Sequence, residues 1–191
     1  PASSAKWIDV FCDAGAFSPE QTRAILVAGK GAGMLPRIHA NQLSRTTAVA
    51  LAIELDAASA DHLSASTDAD IEALAASTTV ATLLPGAEFS TQHEGKLGRR
   101  FLDRAARVAI ATDCNPGSSF TTSMPFCIAA AVSLLGFTVE EAVYAATSGG
   151  AAALRRTDIG SFEIGARADI AILKSPSYIH LAYRPGADLV E

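Results

Sequence analysis

The chain has 191 residues, of which 49% are hydrophobic and 18% charged, with a formal net charge of -5. That length suits one domain with a buried core, and the composition excludes a disordered or fibrous chain. The acidic balance excludes a basic face for nucleic acid. No apolar run reaches the length of a membrane span, so no membrane partner is expected. Pro1 to Lys6 lacks the basic stretch and apolar core of a secretion signal, which makes the cytoplasm the expected compartment. Cys12, Cys114 and Cys127 are odd in number and far apart. They argue against a disulfide framework or a zinc knuckle, fit a reducing compartment, and read as small buried hydrophobes.

Strand-like and helix-like segments alternate along the chain. Trp7 to Cys12 reads as a strand. Ser18-Pro-Glu-Gln21 then opens a helix, with Ser18 as N-cap, Pro19 at the first helical position and Gln21 completing a capping box. Gly29 and Gly31 are expected to close it. Arg37 to Ala40 is the next strand, followed by a helix over 45–55 with Val49, Ala52 and Leu55 on one face. Ala57 to His62 reads as a third strand. Thr67-Asp-Ala-Asp70 caps a helix that buries Ile71, Leu74 and Ala75. Thr79 to Leu84 is a fourth strand, stopped by Pro85-Gly86. A helix over 97–105 leads to a fifth strand, Val108 to Thr112. Helices over 123–135 and 138–146 follow, the second opened by the capping box Thr138-Val-Glu-Glu141. From about Ile159 the pattern changes to short β-like runs such as Asp169-Ile-Ala-Ile-Leu173.

Five βα units imply a parallel sheet. No Gly-x-Gly-x-x-Gly turn follows a strand, which argues against a doubly wound nucleotide-binding sheet. The expected fold is α/β: part of a (β/α)8 barrel over 1–158, with 159–191 beginning a small β-sandwich segment. In such barrels the chemistry sits at the carboxyl ends of the strands. Three residues occupy that place here. His39 and His62 end the second and third strands, and Asp113 follows the fifth, just before a Pro-Gly turn. Neutral imidazole and carboxylate suit zinc or ferrous iron. His39 and Asp113 can serve as two ligands, with Asp113 also accepting a proton from the attacking water. His62 can polarise a substrate carbonyl. His93 and His180 stand alone and read as surface residues. Asp68, Asp70 and Glu72 read as a helix N-terminus favoured by its dipole, and Arg155-Arg156 as a solvated turn.

These residues carry a family resemblance. Asp9-Val-Phe-Cys12, Ile38-His-Ala-Asn-Gln-Leu43, Ala58-Ser-Ala-Asp-His62, Ala111-Thr-Asp-Cys-Asn-Pro-Gly-Ser118 and Thr122-Ser-Met-Pro125 together resemble the imidazolonepropionases of the metal-dependent amidohydrolase superfamily. The tail Gly165-Ala-Arg-Ala-Asp-Ile-Ala-Ile-Leu173 is similar to a segment that leads back into that superfamily's β-sandwich. The resemblance implies hydrolysis of 4-imidazolone-5-propanoate to N-formimino-L-glutamate in histidine degradation. It implies one divalent metal, zinc or iron, and a homo-oligomer, a dimer, in the complete enzyme. It matches His39 and Asp113 to metal ligands and His62 to the catalytic histidine beside the metal. Gln42, Asn115, Gly117 and Ser118 match substrate contacts. Gln42 stands where many members have Glu. Its amide can hold a ring but cannot act as a base.

The family's His-x-His metal pair and the residues that hold the propionate have no counterpart in these 191 residues. The chain alone is therefore expected to be inactive. Arg45-Thr-Thr-Ala48 stands where relatives tend to be glycine-rich and Arg104-Ala-Ala-Arg107 where they usually have a glycine turn, and both touch the scaffold more than the ligands. Two other readings stand beside this one. The first is another cyclic-amide hydrolase or deaminase of the same superfamily. The second is a non-catalytic partial barrel acting as an assembly module.

Overall fold

Residue alternation along the first two strands sorts the sheet into two faces. In a computed structural model, which describes residues 4–92 and 95–191, β1 (Trp7–Cys12) and β2 (Leu35–Ala40) run parallel with Asp9 opposite Arg37 and Phe11 opposite His39. Val10, Cys12, Ile38 and Ala40 are buried, while Asp9, Arg37 and His39 lie on the opposite face. β3 (Ser59–His62) joins β2 with Asp61 opposite His39, and β4 (Val80–Leu83) joins β3 with Thr82 opposite Asp61. One face is therefore apolar and the other carries a row of polar side chains. An open sheet covered by helices on both sides has no place for such a row.

The strand order is β1-β2-β3-β4-β5, with β5 at Val108–Ile110. Chain order and spatial order agree, so there is no reversal of the kind that marks a doubly wound sheet. This is the order of consecutive βα units in a barrel. Contacts divide the chain into two units, Pro1–Thr82 with Arg100–Val108, and Leu83–Arg99 with Ala109–Glu191.

In the first unit, α1 (Pro19–Gly31) starts as the sequence predicts. The Ser18 hydroxyl accepts from the Gln21 amide and the Gln21 side chain accepts from the Ser18 amide. Gly29 does not end this helix. It lies inside it, where a Cβ would stand 2.5 Å from Ile8 Cδ1 and 2.9 Å from Ile8 Cβ. Glycine there lets the helix seat on β1, and the reversal falls instead to Gly33 at φ +84°. α2 (Ala48–Glu54) buries Val49 and Ala52, and α3 (Asp68–Ala75) is capped reciprocally by Thr67 and Asp70. Asp68 pairs with Arg100 and Arg104 at 2.9 Å, so the acidic helix start is structural.

In the second unit, Pro85 does not simply stop β4. It opens α4 (Pro85–Thr91), because Pro fits the first turn of a helix, where no amide donor is needed. α5 (Leu97–Leu102) belongs partly to each unit. α6 (Met124–Leu135) is capped by Ser123 and ended by Gly136 at φ +77°. α7 (Val139–Tyr144) carries the expected Thr138–Glu141 box, and a π turn over Ala145–Gly149 leads into α8 (Gly150–Ala153). Arg156 pairs with Asp158 at 2.6 Å, in keeping with a solvated turn. The run Asp169 to Leu173 is not a strand. It makes one bridge, Leu173 to Val190, and the last element is the short helix α9 (His180–Tyr183). A strand needs a hydrogen-bonded neighbour along its length, and this run has one only at its end.

Cys12 and Cys127 are buried as expected, but Cys114 is exposed, because it follows the carboxylate at the strand end into an open loop. His93 lies outside the described residues. His180 is half-buried, with its ring against Tyr183, rather than a surface residue. No helix among the described residues is long and apolar enough to cross a membrane.

Candidate functional site

The first unit brings two of the sequence-predicted residues together. His39 lies one residue before the end of β2 and His62 is the last residue of β3. Their ring centroids are 5.2 Å apart at 51°. His62 is buried, with 2% exposure, at φ +74°, and Leu63 follows at φ +67°. Left-handed conformations at two successive residues with side chains are costly and persist only where the surroundings enforce them. The strain turns the chain sharply at the strand end.

His39 is oriented by a carboxylate. Its Nδ1 lies 3.1 Å from Asp9 Oδ1. The carboxylate can only accept, so Nδ1 carries the proton and the neutral ring has its lone pair on Nε2. A histidine held in this way is suited to metal ligation. Phe11 meets the ring edge-on at 6.1 Å. Asp61 lies opposite His39 on the same face and is 6% exposed, and its Oδ1 has no hydrogen-bond partner among the described residues. Burial pushes its carboxyl up to about 6. The Ser59 hydroxyl and the His39 and Arg37 charges oppose that rise, while Asp9 adds to it. Asp9, His39 and Asp61 each offer a ligand atom, all within 4.8 Å of one another. The Arg37 guanidinium shares their face and stacks on Trp7 at 4.3 Å. With the Arg37 cation acting on Asp61 and Asp9 bonded to His39, this cluster is a charge network around His39.

Asp9 and Asp61 were not singled out from the sequence. The signal for both was available. Each is an acid inside an otherwise apolar strand, two residues from another inward position, and Asp61 directly precedes His62.

Gln42 is half-buried in the loop after β2, and its amide makes no hydrogen bond to a described residue. Asn41 before it has φ +51° and is fully buried, with its Oδ1 accepting from the amide and hydroxyl of Thr46.

In the second unit, Asp113 lies three residues beyond β5 at φ +47°. Asn115 holds it: Nδ2 donates to the Asp113 carbonyl at 2.6 Å and to its Oδ2 at 3.1 Å. Asn115 Oδ1 in turn accepts from the amides of Gly117 and Ser118 at 2.7 and 2.8 Å. The Asn-Pro-Gly-Ser turn is thus wound around one side chain, and its first effect is to fix the direction of the Asp113 carboxylate. The Ser118 hydroxyl lies 3.3 Å from the same Nδ2.

Each unit thus presents a directed donor of a kind that divalent metals accept: a histidine oriented by a carboxylate in the first, and a carboxylate fixed by Asn115 in the second. The sequence profile of the amidohydrolase family matches residues 14–188. The chain belongs to the amidohydrolase family. It is similar to imidazolonepropionases from Streptomyces avermitilis, 63% identical over 189 residues, and Mycolicibacterium smegmatis, 61% identical over 189 residues. Each alignment covers 99% of this chain, and 46% and 48% of those proteins respectively. The chain therefore spans about half the length of the curated relatives it matches. Among solved structures, the fold is similar to an adenosine deaminase from Xanthomonas campestris with bound zinc (TM-score 0.69, 19% identity, 88% of this chain and 45% of that one). It is also similar to atrazine chlorohydrolase from Arthrobacter aurescens TC1 complexed with zinc (TM-score 0.72, 17% identity, 94% and 47%). At such identities the likeness is one of fold, and it agrees with a five-stranded parallel sheet that forms part of a barrel.

Proposed function

We propose that the protein containing this chain hydrolyses 4-imidazolone-5-propanoate to N-formimino-L-glutamate, the ring-opening step of histidine degradation. The observation that carries this reading is the 63% identity to an imidazolonepropionase across 99% of the chain. The fold neighbours act on other substrates and share under a quarter of their residues with it.

The donor set fits one divalent metal, zinc or iron. His39, with Nδ1 engaged by Asp9, offers the Nε2 lone pair, and Asp113 offers a carboxylate fixed by Asn115. When bound, such an ion supplies Lewis-acid polarisation and makes water more acidic. The rest of the work falls to side chains. Asp113 accepts a proton from the attacking water and can return it to the departing ring nitrogen. His62 donates a hydrogen bond to the carbonyl oxygen as negative charge develops there. Gln42 holds the imidazolone ring through its amide, and Asn115, Gly117 and Ser118 line the substrate position. Residues 1–158 belong to the barrel. Residues 159–191 complete a β-sandwich once the apolar run around Ile170 and Ile172 has a partner strand. The site is completed by ligands beyond this chain's own, the working protein is a dimer, and its compartment is the cytoplasm.

The test is turnover by the full-length protein. Purified enzyme should convert imidazolonepropionate to formiminoglutamate, lose activity on chelation and regain it with zinc or iron. Full activity after exhaustive chelation, or conversion of a different cyclic amide in preference, would overturn the reading.

A further inference from the structure

Asp13, one residue past β1, was singled out by no sequence motif. It is nearly fully buried, with 5% exposure. A buried carboxylate is tolerated only when donors surround it, and three do. Its Oδ2 accepts from the Leu43 amide at 2.8 Å. Its Oδ1 accepts from the Ser44 hydroxyl at 2.5 Å and from the Ala14 amide at 2.7 Å. Two of these donors belong to the loop after β2, thirty and thirty-one residues away in sequence. They are brought close because β1 and β2 are parallel, with Cys12 opposite Ala40.

Gln42 sits between two clamps. On one side Asn41 is anchored by Thr46, and its carbonyl accepts from the Ala65 amide at 2.7 Å. On the other side the Leu43 amide and Ser44 hydroxyl are held by Asp13. The Gln42 amide itself makes no bond to a described residue. The loop backbone is thus fixed on both sides of a side chain left available to a ligand. Charge-assisted bonds of this kind are stronger than neutral ones.

We infer that Asp13 is a positioning residue: it sets the loop after β2 so that the Gln42 amide meets the substrate ring. The inference rests on the proposed role of Gln42. Asp13 touches no substrate. It acts on binding by fixing the direction of a neutral amide, which unlike a carboxylate must present its donor and acceptor in the correct order.

A double-mutant cycle on the full-length protein tests this, with Asp13→Asn, Gln42→Ala and the pair, read as kcat and KM for imidazolonepropionate together with metal content. Asp13→Asn is expected to lower kcat/KM by roughly tenfold to a hundredfold, the scale of a misplaced contact. KM should carry most of the loss, and metal content should be unchanged. In the Gln42→Ala background the same change should cost less than about threefold, because its route of action is gone. An undiminished penalty in that background, or loss of metal in Asp13→Asn, would overturn the inference. If the wild-type protein opens no imidazolone ring, the proposed function falls first. Hydrogen exchange of the segment 41–47 then decides the clamp: faster exchange in Asp13→Asn supports it, and unchanged exchange overturns it.

Discussion

His39 shows how much a single side chain depends on what lies opposite it. Its place at a strand end is readable from Arg37-Ile-His-Ala40, but its tautomer is set by Asp9, thirty residues earlier. Only the register of β1 on β2 brings the two together. The same holds for Asp61, which shares the Ala-Asp-His stretch with His62 yet gains meaning only as the residue opposite His39. The strand-end placement of His39 and His62 was thus legible in the sequence, because apolar runs ending in His can be read locally. The supporting acids were not, because their roles come from cross-strand pairing. On the proposal that His39 ligates a metal, Asp9→Ala in the full-length protein is expected to weaken metal affinity by roughly tenfold to a hundredfold, the usual effect of removing a carboxylate behind a ligating histidine. Competition with a chelating dye measures it. Unchanged affinity would show that Asp9 does not orient the ligand.

At the scale of elements, local signals and tertiary packing divide the outcome. The capping boxes at Ser18, Thr67 and Thr138 form as read, because each is a reciprocal contact within four residues. Gly29 and Pro85 were misread for one reason. Both residues break helices in isolation, and both serve helices here: Gly29 by close packing on Ile8, Pro85 at a helix start. The β-like run around Ile170 and Ile172 has the right alternation, yet both side chains are 60% exposed, since no strand lies alongside. Gly29→Ala should therefore destabilise the protein despite a better helix propensity. Overpacking against Ile8 costs about 1–3 kcal/mol, against a propensity gain of about 1 kcal/mol. Denaturant unfolding should show a lower midpoint, and a raised midpoint would mean that Ile8 moves aside freely.

At the scale of the whole molecule, the polar row Asp9, Arg37, His39, Asp61 and Thr82 explains why this sheet belongs to a barrel. Strands in chain order place those residues on one face, and the apolar face packs beneath the helices. The barrel was legible because βα units recur with clear caps and strand-length apolar runs. What the sequence could not convey is how the loop ends are tied down: Asp13 to Ser44, Asn41 to Thr46, Asn115 to Asp113. These ties link loops through side chains with no periodic signature. They fix the backbone and side chains at the strand ends.

The central proposal is that His39 and Asp113 serve as metal ligands and that His62 acts as a catalytic group without being a ligand. Metal analysis of the full-length protein and its variants by plasma mass spectrometry, paired with turnover, tests it most directly. Wild-type protein should carry one ion of zinc or iron per protomer, and His39→Ala and Asp113→Ala should lose both metal and activity. His62→Asn should keep its metal while kcat falls by roughly a hundredfold or more, the loss expected for a group that acts on the transition state. A full complement of metal in His39→Ala, or its loss in His62→Asn, would contradict the account.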